Sequence, residues 1–99
     1  ISNILNLLNR LRREYTGKWM NDKKSGRGSM FFKNEDRYDG FWLNDLPHGE
    51  GRMIYQNGDI YEGQWSFGKK SGYGVLTKRS GDHFEGQWVN DKRVKFGEV

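Results

Sequence analysis

Aromatic and polar residues alternate along most of the chain in a pattern that recurs every 23 residues. Each unit opens with an aromatic residue, a glycine follows two residues later, and a tryptophan follows two residues after the glycine. The opening aromatic residues are Tyr15, Tyr38, Tyr61 and Phe84, and the tryptophans are Trp19, Trp42, Trp65 and Trp88. Alternating residues share one face of a β-strand, and a constant period indicates a repeat architecture.

Each unit predicts a β-hairpin that places rings against glycines. The polar stretch after each tryptophan, NDKKS in the first unit, predicts the turn between the two strands. We expect Trp19 to lie opposite Gly26, and in the same register Gly17 faces Gly28. A ring above a glycine meets no side chain, which explains why both residue types recur together.

The second connection in each unit, NGD at 57–59 in the second unit, carries a strong hairpin signal. Side chains alternate between the two faces of a strand with a period of two, but the repeat has an odd length of 23 residues. Equivalent residues can therefore stay on one face only if a connection has an odd number of residues or a strand has a bulge. A three-residue loop centred on Gly58 would meet this condition and place Tyr55 opposite Tyr61. The first unit has NED at 34–36 without a glycine, so we expect its turn to be distorted.

These elements predict an all-β fold, an antiparallel β-hairpin meander of seven or eight short strands in a single twisted, elongated sheet. The predicted units span 15–37, 38–60, 61–83 and a partial 84–97. The preceding segment, ISNILNLLNRLRRE, changes to helical spacing, which predicts a short amphipathic α-helix over 1–14. Three interpretations of this helix stay open: a cap on the first repeat, a contact with another chain, or a membrane anchor.

The motif Tyr-x-Gly-x-Trp followed by Gly-x-Gly resembles the MORN repeat (membrane occupation and recognition nexus) over residues 15–97. This resemblance implies a scaffold that binds protein partners, in some members as a dimer. MORN repeats have also been proposed to bind phospholipids. The resemblance therefore implies a binding surface rather than an active site.

The composition predicts a thin core made of rings. Only 33% of the residues are apolar, but 15% are aromatic and 14 residues are glycine. The absence of cysteine excludes disulfides and thiolate metal sites and suits an intracellular, cytoplasmic location. The net charge of +4 is spread over alternating basic and acidic residues, which favours a solvated surface over a nucleic-acid-binding stripe.

The sequence predicts no enzyme activity, no metal and no cofactor. His48 and His83 lie in turns without metal-ligand spacing. Asp22, Asp45 and Asp91 recur at turn positions, where aspartate favours local hydrogen bonds. The Gly-x-Gly pairs lack the continuation that a phosphate-binding loop requires.

Two surfaces are candidate protein-binding sites. On the face that carries the rings, the candidate residues are Tyr38, Trp42, Tyr55, Tyr61 and Trp65. On the opposite face, an apolar cluster is formed by Phe31, Phe41, Leu43 and Ile54. Two interpretations of this cluster stay open: the amino-terminal helix covers it, or a protein partner or a second copy of the chain binds there.

Two alternative functions stay open beside the scaffold. A membrane tether would recognise anionic phospholipids through basic residues in the predicted turns, Lys23, Lys24, Lys69, Lys70, Lys92 and Arg93. The chain starts without methionine, so we also expect it to be a fragment, which keeps a targeting module of a larger enzyme as a candidate.

Overall fold

The computed structural model describes residues 14–94, which form one eight-stranded antiparallel sheet with its strands in chain order. The strands are β1 (Glu14–Met20), β2 (Lys23–Phe31), β3 (Arg37–Leu43), β4 (Leu46–Ile54), β5 (Ile60–Ser66), β6 (Lys69–Thr77), β7 (His83–Val89) and β8 (Lys92–Arg93). The predicted all-β meander is therefore confirmed, and no helix occurs within 14–94. The helix predicted over 1–14 lies outside the described residues, except that Glu14 already belongs to β1.

The register of the first hairpin is partly as predicted. Gly17 lies opposite Gly28, as expected, but Trp19 lies opposite Lys24 rather than Gly26. The strands join through a two-residue turn in which both residues, Asn21 and Asp22 in the first hairpin, have positive φ. This is the geometry of type I′ hairpins, and it lets the two strands pair up to the turn. Between Gly17 and Trp19 the register shifts, because a bulge accommodates the additional residues of β2.

The second connection has five residues rather than the predicted three. Met53, not Tyr55, lies opposite Tyr61, because the strands pair only up to Ile54 and Ile60. The Tyr55 N–H donates to the Asp59 carbonyl at 2.9 Å, and the Gly58 N–H donates back to the Tyr55 carbonyl at 2.9 Å. Five is still odd, so the inferred condition on the loop holds and the rings of successive repeats share one face.

The first of these turns is not distorted, so the expectation for NED at 34–36 was wrong. Glu35 has a φ of 74°, close to the 97° of Gly58 at the equivalent position. The Asn34 side-chain oxygen accepts the Asp36 N–H at 3.0 Å, as Asn57 does for Asp59 at 2.9 Å. The side-chain bond holds the turn in place, and Glu35 adopts a left-handed conformation that glycine adopts more easily.

The core is a continuous ladder of tyrosine and tryptophan rings on one face of the sheet, the ring face. Its seven buried apolar residues are Met30, Tyr38, Trp42, Met53, Tyr61, Trp65 and Trp88. Tyr38 contacts Trp42 of its own repeat at 5.0 Å between ring centres and Trp65 of the next repeat at 5.5 Å, both edge to face. Such pairs stabilise a core beyond the area they bury, so rings join one repeat to the next.

The glycines of the Gly-x-Gly motif make room for these rings. A Cβ atom on Gly51 would overlap the Tyr38 hydroxyl. The Gly51 carbonyl also accepts the indole N–H of Trp65 at 3.1 Å. The prediction that rings lie over glycines is therefore confirmed, and the glycine backbone in addition binds the ring of the following repeat.

Candidate interaction surfaces

Four of the five ring-face candidates are part of the core. Tyr38 and Tyr61 have no exposed surface, and Trp42 and Trp65 are also buried. The Tyr61 hydroxyl donates to the Gln64 carbonyl at 3.0 Å, and burial raises the pKa of Tyr61 to about 12. These side chains already have partners within the chain, so they offer a partner protein little area.

Tyr55, the fifth candidate, is only partly buried and lies beside Lys70. The Lys70 ammonium nitrogen is 5.2 Å from the Tyr55 ring centre and 5.9 Å from that of Trp88. The same nitrogen lies 3.9 Å from an Asp91 carboxylate oxygen. Burial lowers the pKa of Lys70, and the charge of Asp91 partly opposes that shift. Lys70 therefore acts as a cationic cover on the rings.

The six lipid-binding candidates divide into two sets. The side chains of Lys24 and Lys70 turn inward over the rings and are only 17% and 14% exposed. The exposed set is Lys23, Lys69, Lys92 and Arg93. At the corresponding positions of the second repeat the chain has Leu46 and Pro47, so the row of basic residues is interrupted.

Turn aspartates connect each hairpin to its neighbour. An Asp45 carboxylate oxygen accepts the backbone N–H of Lys24 at 2.7 Å, and Asp91 does the same for Lys70 at 2.8 Å. The expectation of local turn bonds was wrong for these two residues, because their partners lie in the preceding repeat. At the opposite ends of the strands, an Asp59 carboxylate oxygen accepts the Arg79 N–H of the following repeat at 2.9 Å.

The face opposite the rings, the back face, carries the four apolar candidates in two separate groups. Phe31 and Ile54 lie on either side of Arg37, whose guanidinium carbon is 5.0 Å from the Phe31 ring centre. Phe41 and Leu43 lie near the other end of β3, about 13 Å along the strand. The expected single cluster is therefore two patches, and the charged residues Asp39, Arg52 and Glu62 lie side by side between them.

Sequence reasoning missed several members of the back face, among them Leu46, which lies opposite Leu43. Ile60 lies directly opposite Ile54 and extends the first patch into the third repeat. The Arg27 guanidinium carbon lies 5.5 Å from the Phe41 ring centre, so Phe31 and Phe41 are each covered by an arginine of a neighbouring strand. The alternation of side chains could have identified Ile60, whereas the arginine contacts depend on the register between strands.

The histidines have structural hydrogen bonds. His48 Nδ1 accepts the Phe67 N–H at 3.1 Å, and His83 Nδ1 lies 3.2 Å from the Thr77 hydroxyl. Within residues 14–94, no group of three or more histidine, aspartate or glutamate side chains is placed to hold a metal ion. The same residues form no helix long and apolar enough to cross a membrane.

The fold defines a class of protein in which 23-residue β-hairpins stack through rings into one open sheet. A family model described as MORN repeat matches four consecutive segments, 15–37, 38–60, 61–83 and 84–94. The chain therefore belongs to the MORN repeat family, whose repeats are commonly protein- or membrane-interaction modules and generally non-enzymatic. A comparison with curated proteins finds no significant match.

Proposed function

We propose that this protein is a non-enzymatic scaffold that binds other proteins through the back face of its sheet. The observation that carries the proposal is the exposure of two phenylalanines, Phe31 at 50% and Phe41 at 40%. Each ring lies under an arginine guanidinium, from Arg37 and Arg27 respectively. Phenylalanine and arginine are both enriched at protein interfaces relative to the rest of the protein surface.

The biological setting that we propose is cytoskeletal or ciliary assembly, in the cytoplasm or in a cilium or flagellum. The runs DKKSGRGSMFF at 22–32 and GRMIYQNGDIYEGQW at 51–65 support it, because both resemble MORN repeat-containing protein 3, which is associated with sperm and ciliary structures. A second copy of the chain is one partner that the exposed phenylalanines would suit. Homodimerisation would then compete with other partners for the same patches.

The test removes one patch and leaves the ring face intact. The double variant Phe41→Ser, Leu43→Ser should lose a partner contact, seen as fewer proteins retained from a ciliated-cell lysate, or a dimer contact, seen by sedimentation velocity. The matched control is Gln64→Ser, because Gln64 occupies the position of Phe41 in the next repeat. Its binding and sedimentation should equal those of the wild-type protein.

Circular dichroism decides how a negative result is interpreted. If the double variant keeps the wild-type spectrum and still binds every partner, the back-face assignment is wrong. If the variant unfolds, Phe41 and Leu43 belong to the core, and the assignment is wrong for that reason.

The alternative that we keep is a membrane tether acting through the exposed set Lys23, Lys69, Lys92 and Arg93. These residues follow turns that lie at the same end of the strands, and this common location favours the membrane tether. Co-sedimentation with vesicles of phosphatidylserine and phosphatidylcholine over a salt series tests it, because binding by surface charges weakens as salt rises. Absence of binding at low salt would exclude the tether.

A further inference from the structure

The second repeat differs from its neighbours at one ring-face position. The residue opposite each tryptophan is Lys24 in the first repeat, Lys70 in the third and Arg93 in the fourth, but Pro47 in the second. Lys24 and Lys70 extend their ammonium groups over the rings. A proline side chain is too short to do so, so position 47 supplies no cation to the rings beside it, and among residues 14–94 Trp42 has only the contact with Lys24 of the first repeat, at 5.6 Å.

A second substitution accompanies Pro47 and removes the matching anion. In the flanking repeats, Asp45 and Asp91 accept the backbone N–H of Lys24 and Lys70. Pro47 has no N–H to donate, and the position of the aspartate is occupied by Gly68. The Gly68 N–H still donates to the Pro47 carbonyl at 2.8 Å, so the connection between the repeats is kept. Both charges of the ion pair are therefore absent between the second and third repeats.

An open pocket of about 390 Å³ lies on the ring face beside Pro47. Its apolar wall is formed by Met30, Phe32, Trp42 and Pro47, with the Phe32 and Trp42 ring centres 6.4 Å apart. In the third repeat, Lys70 crosses the corresponding space to reach Tyr55, the residue equivalent to Phe32. The pocket is therefore the volume that a lysine fills in the next repeat.

We propose that this pocket binds an apolar side chain of a partner peptide whose neighbouring residues are acidic. A cation is disfavoured, because Gly68 supplies no carboxylate where Asp91 balances Lys70 in the third repeat. Of the charged side chains that line the pocket, Lys24 is paired with Asp45 at 3.6 Å. Lys33 is exposed and has no ion pair within residues 14–94, so it attracts a carboxylate beside the apolar group.

The pocket is separate from the back-face patches, because it opens on the other face of the sheet. Its volume falls within the range of small-ligand pockets, which is sufficient for one large apolar side chain. Failure of the back-face proposal would therefore leave this proposal standing, and the reverse also holds.

The experiment is a nuclear magnetic resonance titration of the full chain with acetylated, amidated pentapeptides. The probe is Gly-Glu-Leu-Glu-Gly, and the controls are Gly-Glu-Ala-Glu-Gly and Gly-Lys-Leu-Lys-Gly. The reporter is the indole N–H of Trp42, which donates to the Gly28 carbonyl at 3.0 Å at the wall of the pocket. We expect the probe to shift this signal with a Kd of about 1 mM, and both controls to bind at least about tenfold more weakly.

Two variants connect the signal to the pocket. The double variant Pro47→Lys, Gly68→Asp restores the ion pair of the flanking repeats and fills the pocket, so the Trp42 shift should disappear while the indole signals stay dispersed. Lys33→Glu changes only an exposed side chain, and it should reverse the preference between the Glu-Leu-Glu and Lys-Leu-Lys peptides.

Three results would overturn the proposal. The first is no Trp42 shift up to about 10 mM probe. The second is equal binding of the probe to the folded Pro47→Lys, Gly68→Asp variant. The third is equal affinity for the acidic and basic leucine peptides, which would disprove the predicted acidic neighbours.

Discussion

Single residues set the geometry of the connecting turns, and the turn at 34–36 shows how a side-chain bond replaces a missing glycine. Asn34 and Asp36 make the same bonds as Asn57 and Asp59, so the backbone follows the same path with glutamate at the left-handed position. A non-glycine residue in that conformation costs about 1 to 2 kcal/mol. The turn therefore forms correctly but carries local strain in its folded state.

Glu35→Gly should stabilise the protein by about 0.5 to 1 kcal/mol, the strain relieved less the larger conformational entropy that glycine loses on folding. Urea unfolding followed by tryptophan fluorescence measures the change. The matched control is Gly81→Ala, at the equivalent position of the third repeat, where an added Cβ atom contacts nothing within 4 Å. It should destabilise by about 1 kcal/mol from strain alone, and a loss of stability in Glu35→Gly would contradict the argument.

At the scale of the element, turn aspartates hold each hairpin to the next, and Asp59 does so between the second and third repeats, where Gly68 replaces the aspartate at the other end of the strands. Asp59 is 9% exposed, and its other carboxylate oxygen lies 3.1 Å from the Lys78 ammonium nitrogen. The Arg79 N–H, and then Lys78, hold the pKa of Asp59 below its usual range. A depressed pKa means that the folded protein stabilises the charged carboxylate more than the unfolded chain does.

Asp59→Asn should lower the melting temperature at neutral pH. The contribution of Asp59 is fully present above its unfolded pKa and is lost as the pH falls through the lower folded pKa. The difference between wild type and variant should therefore shrink in acid, measured by thermal unfolding between neutral and acidic pH. Asp82→Asn is the control: Asp82 bonds only within its own turn among residues 14–94, so its substitution should change stability less.

The sequence was sufficient to predict the hairpin period, the shared ring face and the odd loop, because these depend on alternation within one repeat. It could not predict the inward turn of Lys70 or the bond from Asp91 to the Lys70 backbone, because these link residues 21 positions apart. It also did not distinguish rings in the core from rings on a binding surface. In a single-layer sheet, rings of successive repeats bury one another, which no local pattern shows.

At the scale of the molecule, the described sheet is a thin ribbon of 56 × 36 × 15 Å. Within residues 14–94 no second layer covers the ring face, so the rings themselves form the core. Edge-to-face contacts between tyrosine and tryptophan rings form a continuous series from Trp19 to Trp88. Because every repeat shares this ladder with its neighbour, the loss of one ring affects the repeats on both sides.

The ladder makes the protein sensitive to alkali. Burial raises the pKa of Tyr61 to about 12, and burial together with nearby carboxylates raises that of Tyr55 to about 12, from the usual value of about 10. The pKa of Tyr38 is also raised by burial. The unfolded chain thus releases these protons at lower pH than the folded chain, so stability is full below pH 10 and falls as the pH rises toward 12.

Tyrosinate absorbance and circular dichroism, followed together through an alkaline titration, test this expectation. The buried tyrosines should ionise in the same step in which the sheet signal is lost, because a phenolate cannot stay among the rings without water or a partner. Tyr73 is the internal control, since it is exposed and bonds the Glu85 carboxylate at 3.0 Å. The bond to Glu85 also raises the pKa of Tyr73, but the side chain is exposed and outside the ladder, so Tyr73→Phe should change the unfolding pH only slightly. Ionisation of Tyr38 and Tyr61 in an intact sheet would show that the ladder opens to solvent without unfolding.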